Sequence, residues 1–146
     1  MENLQIYISI LFGLITLLTV GLFYKATNRS ILSLVILLTW LVIQAVIALT
    51  DFYTVTDTIP PRFLLLVMPP ILFIILLFAT NKGRIFIDSL DIKALTLLHI
   101  VRVPVEIVLF WLFINKMIPE LMTFEGRNFD IISGISAPLI YYFGFV

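Results

Sequence analysis

Three residues able to hold charge lie in the most apolar part of the chain. His99, Arg102 and Glu106 all fall within LHIVRVPVEIVLFWLFI, residues 97 to 113. An imidazole can carry a proton near neutral pH, and a guanidinium and a carboxylate can each hold an ion of opposite charge. Lys93 and Lys116 bound this stretch, and the midpoint between them falls on Pro104. At ~1.5 Å rise per residue, Arg102 and Glu106 lie within about 4 Å of that midpoint and His99 about 8 Å toward one side. At ~100° per residue the three share one helical face. An unpaired charge at such a depth costs roughly 2.5–3.5 kcal/mol on insertion scales. Arg and Glu at i and i+4 can meet, so the spacing predicts an Arg102–Glu106 ion pair within one helix, turned toward other helices. Two roles fit that pair. It either locks a helix bundle together or lines a cavity and binds an ion, a proton or an anionic group. His99 is read as a packing residue or as a proton carrier one turn away. Haem ligation would need a second axial ligand from methionine or another subunit.

A second candidate site lies in TFEGRNFDIISGISAP, where Glu125, Arg127, Asn128 and Asp130 sit beside Phe124 and Phe129. This combination predicts an outer loop folded back on itself with its own ion pair, and Asp130 is placed to cap the helix that follows. The loop either closes the structure or recognises a ligand or partner. Farther back, Ser33, Trp40, Gln44 and Asp51 form one stripe at helical spacing. Trp40 lies too deep for the interfacial belt, so its indole N–H seeks a protein partner. The stripe is assigned to the His99–Glu106 face, with packing elsewhere in the bundle equally allowed. Ser9, Gly13 and Thr16, and again Ser133, Gly134, Ser136 and Ala137, are small residues that let membrane helices approach closely. A second role for Ser133 and Ser136 is to line the outer mouth of a cavity.

The elements that must position these residues are membrane helices. Of 146 residues, 62% are hydrophobic and 12% charged, and the mean hydropathy is +1.18, well outside the range of soluble domains. Apolar runs long enough to cross a bilayer predict about five spans, at 4–24, 31–49, 63–79, 94–114 and 131–146, in a single all-α transmembrane bundle. The last run is still apolar at Val146, so a span cut off at its far side is expected. Glu2 stands where a signal peptide would be positive, so the first run reads as a retained span. Pro69, Pro70, Pro104 and Pro138 each deny a helical carbonyl its donor. The stretch IFIDSLDIK reads equally as a short interfacial helix, with Asp88 or Asp91 near its start, or as a loop. The first and third connectors hold Lys25, Arg29, Lys82, Arg84 and Lys93, and the second and fourth hold Arg62, Lys116 and Arg127. That bias places the N-terminus outside.

Nine basic and nine acidic residues cancel, leaving no basic field for nucleic acid. The absence of cysteine removes disulfides and thiolate chemistry, and a single histidine precludes a histidine-rich metal site. No phosphate-binding glycine loop, G-x-S-x-G elbow or H-E-x-x-H is present, so no cofactor is expected and enzymatic activity is the least favoured reading. A transporter- or channel-like protein and a non-catalytic assembly subunit are the two main ones. The expected partners are the lipid bilayer and further membrane subunits, copies of itself included. HIVRVPVEIVLFW and MTFEGRNFDIISGISAPLIYYF together resemble an uncharacterised family of small bacterial multi-span membrane proteins, over about the last third of the chain. The resemblance implies a bacterial cytoplasmic membrane and further spans beyond Val146, and it supplies no activity.

Overall fold

The computed structural model describes residues 6–55 and 57–145. Among these the regular elements are all helical: α1 (Ile6–Ala26), α2 (Ile31–Leu49), α3 (Leu64–Ala79), α4 (Asn81–Asp88), α5 (Ile92–Leu98), α6 (Arg102–Ile114) and α7 (Asp130–Phe143). Single 3-10 turns lie at Phe52–Thr54, His99–Val101 and Glu120–Met122. Three stretches are long and apolar enough to cross a bilayer: Ile6–Ala26, Ile31–Leu49 and Ile92–Ile114, the last made of α5, a 3-10 turn and α6. A fourth is reached only by counting α3 and α4 together across a 95° bend. Five spans are therefore not confirmed. Helix α3 has 16 residues and α7 has 14, about 24 and 21 Å at 1.5 Å per residue, against a hydrocarbon core of ~30 Å. Leu4 and Gln5, at the start of the first expected span, and Val146, at the end of the last, lie outside the described residues.

The chain divides into two compact units, one made of α1 and the segment from Asp91 onward, the other of Thr27–Leu90. In the first, α1 presents Ile8, Leu11 and Ile15, spaced three and four apart, to Val101, Val105, Val108, Trp111 and Leu112. These are the positions that fall on one stripe of each helix. The Tyr7 and Trp111 rings meet edge to face at 4.9 Å. Small residues then close the far end: Ala26 is 0% exposed and Ala94 1%. There the Asp91 amide donates to the Ala26 carbonyl at 2.9 Å, while the Asp91 side chain caps α5 by accepting from the Ala94 amide. The expected small-residue seam on α1 is absent. Ser9 and Gly13 are exposed, and a Cβ added to Gly13 would meet nothing within 4 Å. On α7 the seam is present, with Gly134 and Ala137 buried.

In the second unit the Ser30 hydroxyl caps α2 by accepting from the Ser33 amide. Helix α2 ends before Asp51, which adopts a left-handed conformation with φ 54°, so Asp51 falls off the predicted stripe. Neither α2 nor α3 has a buried residue within the unit. Thr80 ends α3 and caps α4 through its hydroxyl, which accepts from the Gly83 amide at 3.1 Å. Gly83 lies directly on the Leu77 backbone, where a side chain would collide. The IFIDSLDIK segment thus divides between the end of α4, closing at Asp88, and the capped start of α5 at Asp91.

Candidate intramembrane polar site

The stretch Ile92–Ile114 is not one uniform helix. A 3-10 turn at His99–Val101 separates α5 from α6, which makes Pro104 the third residue of α6. Amides in the first turn of a helix have no intrahelical acceptor, so the donor missing from proline is one the helix does not need there. Helix α7 docks across this junction. A Cβ on Gly134 would come within 2.8 Å of the Val103 side chain, 3.0 Å of the Val103 amide nitrogen and 3.2 Å of the His99 carbonyl. The absence of a side chain at Gly134 allows the approach.

That docking redistributes the charges. The predicted Arg102–Glu106 pair is not formed. Arg102 makes its ion pair with Asp130, the first residue of α7, and Glu106 accepts a hydrogen bond on Oε1 from the Asn128 side-chain amide. An i, i+4 spacing permits contact without compelling it, and the two side chains meet different surroundings. Glu106 is 2% exposed, whereas the side chains of Arg102 and Asp130 are 40% and 55% exposed. The second oxygen of Glu106, Oε2, is buried without a hydrogen-bond partner.

Asn128 reaches Glu106 because the connector after α6 turns back along the helix. Glu106 lies eight residues, about 12 Å, before the end of α6 at Ile114. The return is built locally. The Glu120–Met122 turn leads into Thr123, which is 0% exposed and whose hydroxyl donates to the Glu120 carbonyl at 2.9 Å. The Thr123 carbonyl then accepts from the amides of Gly126 at 3.0 Å and Asn128 at 3.3 Å. The Phe124 ring lies 5.1 Å from that of Phe110 on α6. Asn128 is held at both ends of its side chain: Nδ2 also donates to the Met122 carbonyl at 3.3 Å, and Oδ1 accepts from the Asp130 amide at 3.2 Å.

The two separately read candidate sites therefore merge into one, comprising Arg102, Glu106, Asn128 and Asp130. His99 does not join them: its side chain is exposed and makes no hydrogen bond or ion pair with any of the four. Glu125 and Arg127 are also exposed, and Asp130 pairs with α6 instead of within its own loop. Arg127 lines an open cleft of about 240 Å³ with Glu120, Leu121 and Gly126. Nor does Asp130 cap α7. Phe129 holds the capping position and makes no side-chain cap, and the Asp130 amide is served by Asn128. The hydroxyls of Ser133 and Ser136 donate to the carbonyls of Asp130 and Ser133, one turn back, which favours packing over a cavity lining. Thr123 escaped the sequence reading, although a threonine opening TFEGRNFD in so apolar a chain was a signal. Gln44 and Trp40 belong to the Thr27–Leu90 unit, where Gln44 Oε1 accepts from the Tyr53 hydroxyl and Gln44 Nε2 is buried without a partner. Among the described residues no three His, Cys, Asp or Glu side chains converge as metal ligands. No protein-family model matches the chain, and neither curated proteins nor solved structures include a significant match.

Proposed function

We propose that the chain is a multi-pass integral membrane protein that carries an ion across the bilayer through the Glu106 carboxyl, in the manner of a transporter or channel. The observation that carries this reading is the state of that carboxyl. It is 2% exposed, it lies inside the Ile92–Ile114 stretch able to cross a membrane, and one of its oxygens has no partner. An ionisable group at such a depth is costly, and membrane proteins that keep one tend to use it on an ion or proton path. The connector covering it through Asn128 provides a gate, and the half-exposed Arg102–Asp130 pair beside it provides an entry. The N-terminus lies outside on the lysine and arginine bias, in a bacterial cytoplasmic membrane as the resemblance implies. The test is ion flux in vesicles containing the purified full chain: Glu106→Gln removes the charge at constant shape and is expected to abolish flux with insertion intact. Unchanged flux refutes the proposal.

A second reading, an assembly subunit without transport, is favoured by one observation: Arg102 and Asp130 tie α6 to α7 while remaining 40% and 55% exposed, as a clamp completed by another membrane subunit would. Its expected signature is loss of a co-purifying membrane protein from Arg102→Leu. A wild-type protein that is monodisperse without any partner argues against it.

A further inference from the structure

We infer that the ion held at Glu106 is a proton and not a metal cation, and that Asn128 is the residue that makes the distinction. This deepens the transport reading and rests on it. A carboxylate holds an alkali or divalent cation only with several other oxygens converging on the same point. Among the described residues, the oxygens nearest the Glu106–Asn128 contact already accept hydrogen bonds. The Met122 carbonyl accepts from Asn128 Nδ2, the Thr123 carbonyl from the amides of Gly126 and Asn128, and Asp130 Oδ1 from Arg102. What Asn128 turns toward Glu106 is its NH₂, a donor that repels a cation and leaves none of its acceptor capacity there. The amide cannot reverse to present Oδ1 without losing its bonds to Glu106, to Met122 and from the Asp130 amide.

One carboxyl oxygen, Oε2, then remains without a hydrogen-bond partner, while the Phe124 backbone amide presents a second donor to the carboxyl. A single oxygen is too little for a metal ion and is all that a proton needs. The step is a simple balance: Oε2 gains H⁺ to give a neutral carboxylic acid and returns it to the carboxylate on release. The charged groups around it are few. Helix α7 supplies Asp130, already paired with Arg102 of the same helix as Glu106. The charged residue of α1 is Lys25, in its last turn, that of α5 is Lys93, and Lys116, Glu120, Glu125 and Arg127 of the connector are exposed, as is His99 in the 3-10 turn before α6.

The experiment uses the full chain in vesicles loaded with a pH-sensitive dye, with a proton gradient imposed in sodium or in N-methylglucamine, and separately a sodium gradient at constant pH. The expected result is proton flux of equal rate in both media, no sodium-driven flux, and a loss of at least about tenfold in Glu106→Gln. Asn128→Asp replaces the donor by an oxygen and is expected to make the flux sodium-dependent. Sodium-driven flux that Glu106→Gln abolishes leaves the transport reading standing and overturns the proton assignment. Flux of either ion indifferent to Glu106→Gln, or vesicles tight to both ions, overturns both. Flux in Asn128→Asp that ignores sodium removes Asn128 from the selectivity. Should that variant fail to fold, infrared difference spectra of the wild type decide. A carboxylic-acid band that titrates with pH, is missing in Glu106→Gln and ignores sodium bears the assignment out, and a band shifted by sodium refutes it.

Discussion

Two of the side-chain hydrogen bonds in this apolar chain, Tyr53 to Gln44 and Asn128 to Glu106, are made in opposite ways. Gln44 on α2 accepts from Tyr53, nine residues on in the turn that follows the same helix. Glu106 on α6 accepts from Asn128, 22 residues on, across a connector that must fold back to reach it. Each leaves one buried side-chain atom unsatisfied, Gln44 Nε2 and Glu106 Oε2. The local bond needs only the end of a helix and one turn. The distant one needs a buried Thr123, a Phe124–Phe110 contact and a glycine where α7 crosses α6. The distant bond therefore depends on the tertiary fold in a way the local one does not.

Four substitutions, two of them paired with a control change, break or sharpen that contrast. The largest effect is expected from Gly134→Leu, since even the first carbon of its side chain would meet the Val103 amide nitrogen at 3.0 Å and the His99 carbonyl at 3.2 Å. Backbone atoms cannot step aside, and overpacking costs about 1–3 kcal/mol or more, so a marked loss of thermal stability in detergent is expected. Gly13→Leu, at a position with nothing within 4 Å, serves as its control and should leave the melting temperature unchanged. Equal effects at the two glycines would mean that α7 does not dock as described.

Asn128→Ala comes next. It strips a partner from Glu106, from the Met122 carbonyl and from the Asp130 amide together. Of these only Glu106 is buried, and leaving a buried polar group unpaired costs about 1–3 kcal/mol; the connector should become readily cleaved by protease, which a digestion time course reads directly. Arg102→Leu should destabilise less, because both partners of that ion pair are half-exposed. Restoration of the lost stability by the double change Arg102→Leu with Asp130→Asn would identify the cost as the orphaned carboxylate and not the lost contact. Tyr53→Phe should be mildest, about 0.5–1.5 kcal/mol for one ordinary hydrogen bond. If thermal unfolding shows Tyr53→Phe and Asn128→Ala to be equally harmful, the distinction between local and distant bond fails.

Much of the architecture was legible in hydropathy. The three stretches able to cross a bilayer, Ile6–Ala26, Ile31–Leu49 and Ile92–Ile114, lie within a few residues of the apolar runs, because the length of an apolar run and the turn formers beside it are local properties. Less legible were the short helices. The apolar run at 63–79 contains α3 and the run at 131–146 nearly all of α7, but a bend at Thr80 and an α7 that begins beside the start of α6 leave no trace in an average over residues. The seam of small residues was half legible: Gly134 and Ala137 on α7 are buried, whereas Ser9 and Gly13 on α1 are exposed. Smallness permits a close approach, and a neighbouring helix has to make it.

What the sequence determined by itself was where the polar and ionisable residues fall: Arg102 and Glu106 in an apolar segment that makes a lone charge expensive, Asn128 and Asp130 in the polar stretch that follows it. Which charge meets which was decided only by the tertiary structure. A spacing of four residues brings Arg102 and Glu106 near one another at no cost in chain entropy, and on local grounds that contact should win. It loses because α7 delivers Asp130 to the half-exposed flank of α6 where Arg102 lies, and the connector delivers Asn128 to the buried flank where Glu106 points. The contacts that hold α7 in place, Gly134 against Val103 and His99, join residues far apart in the chain and have no local signature.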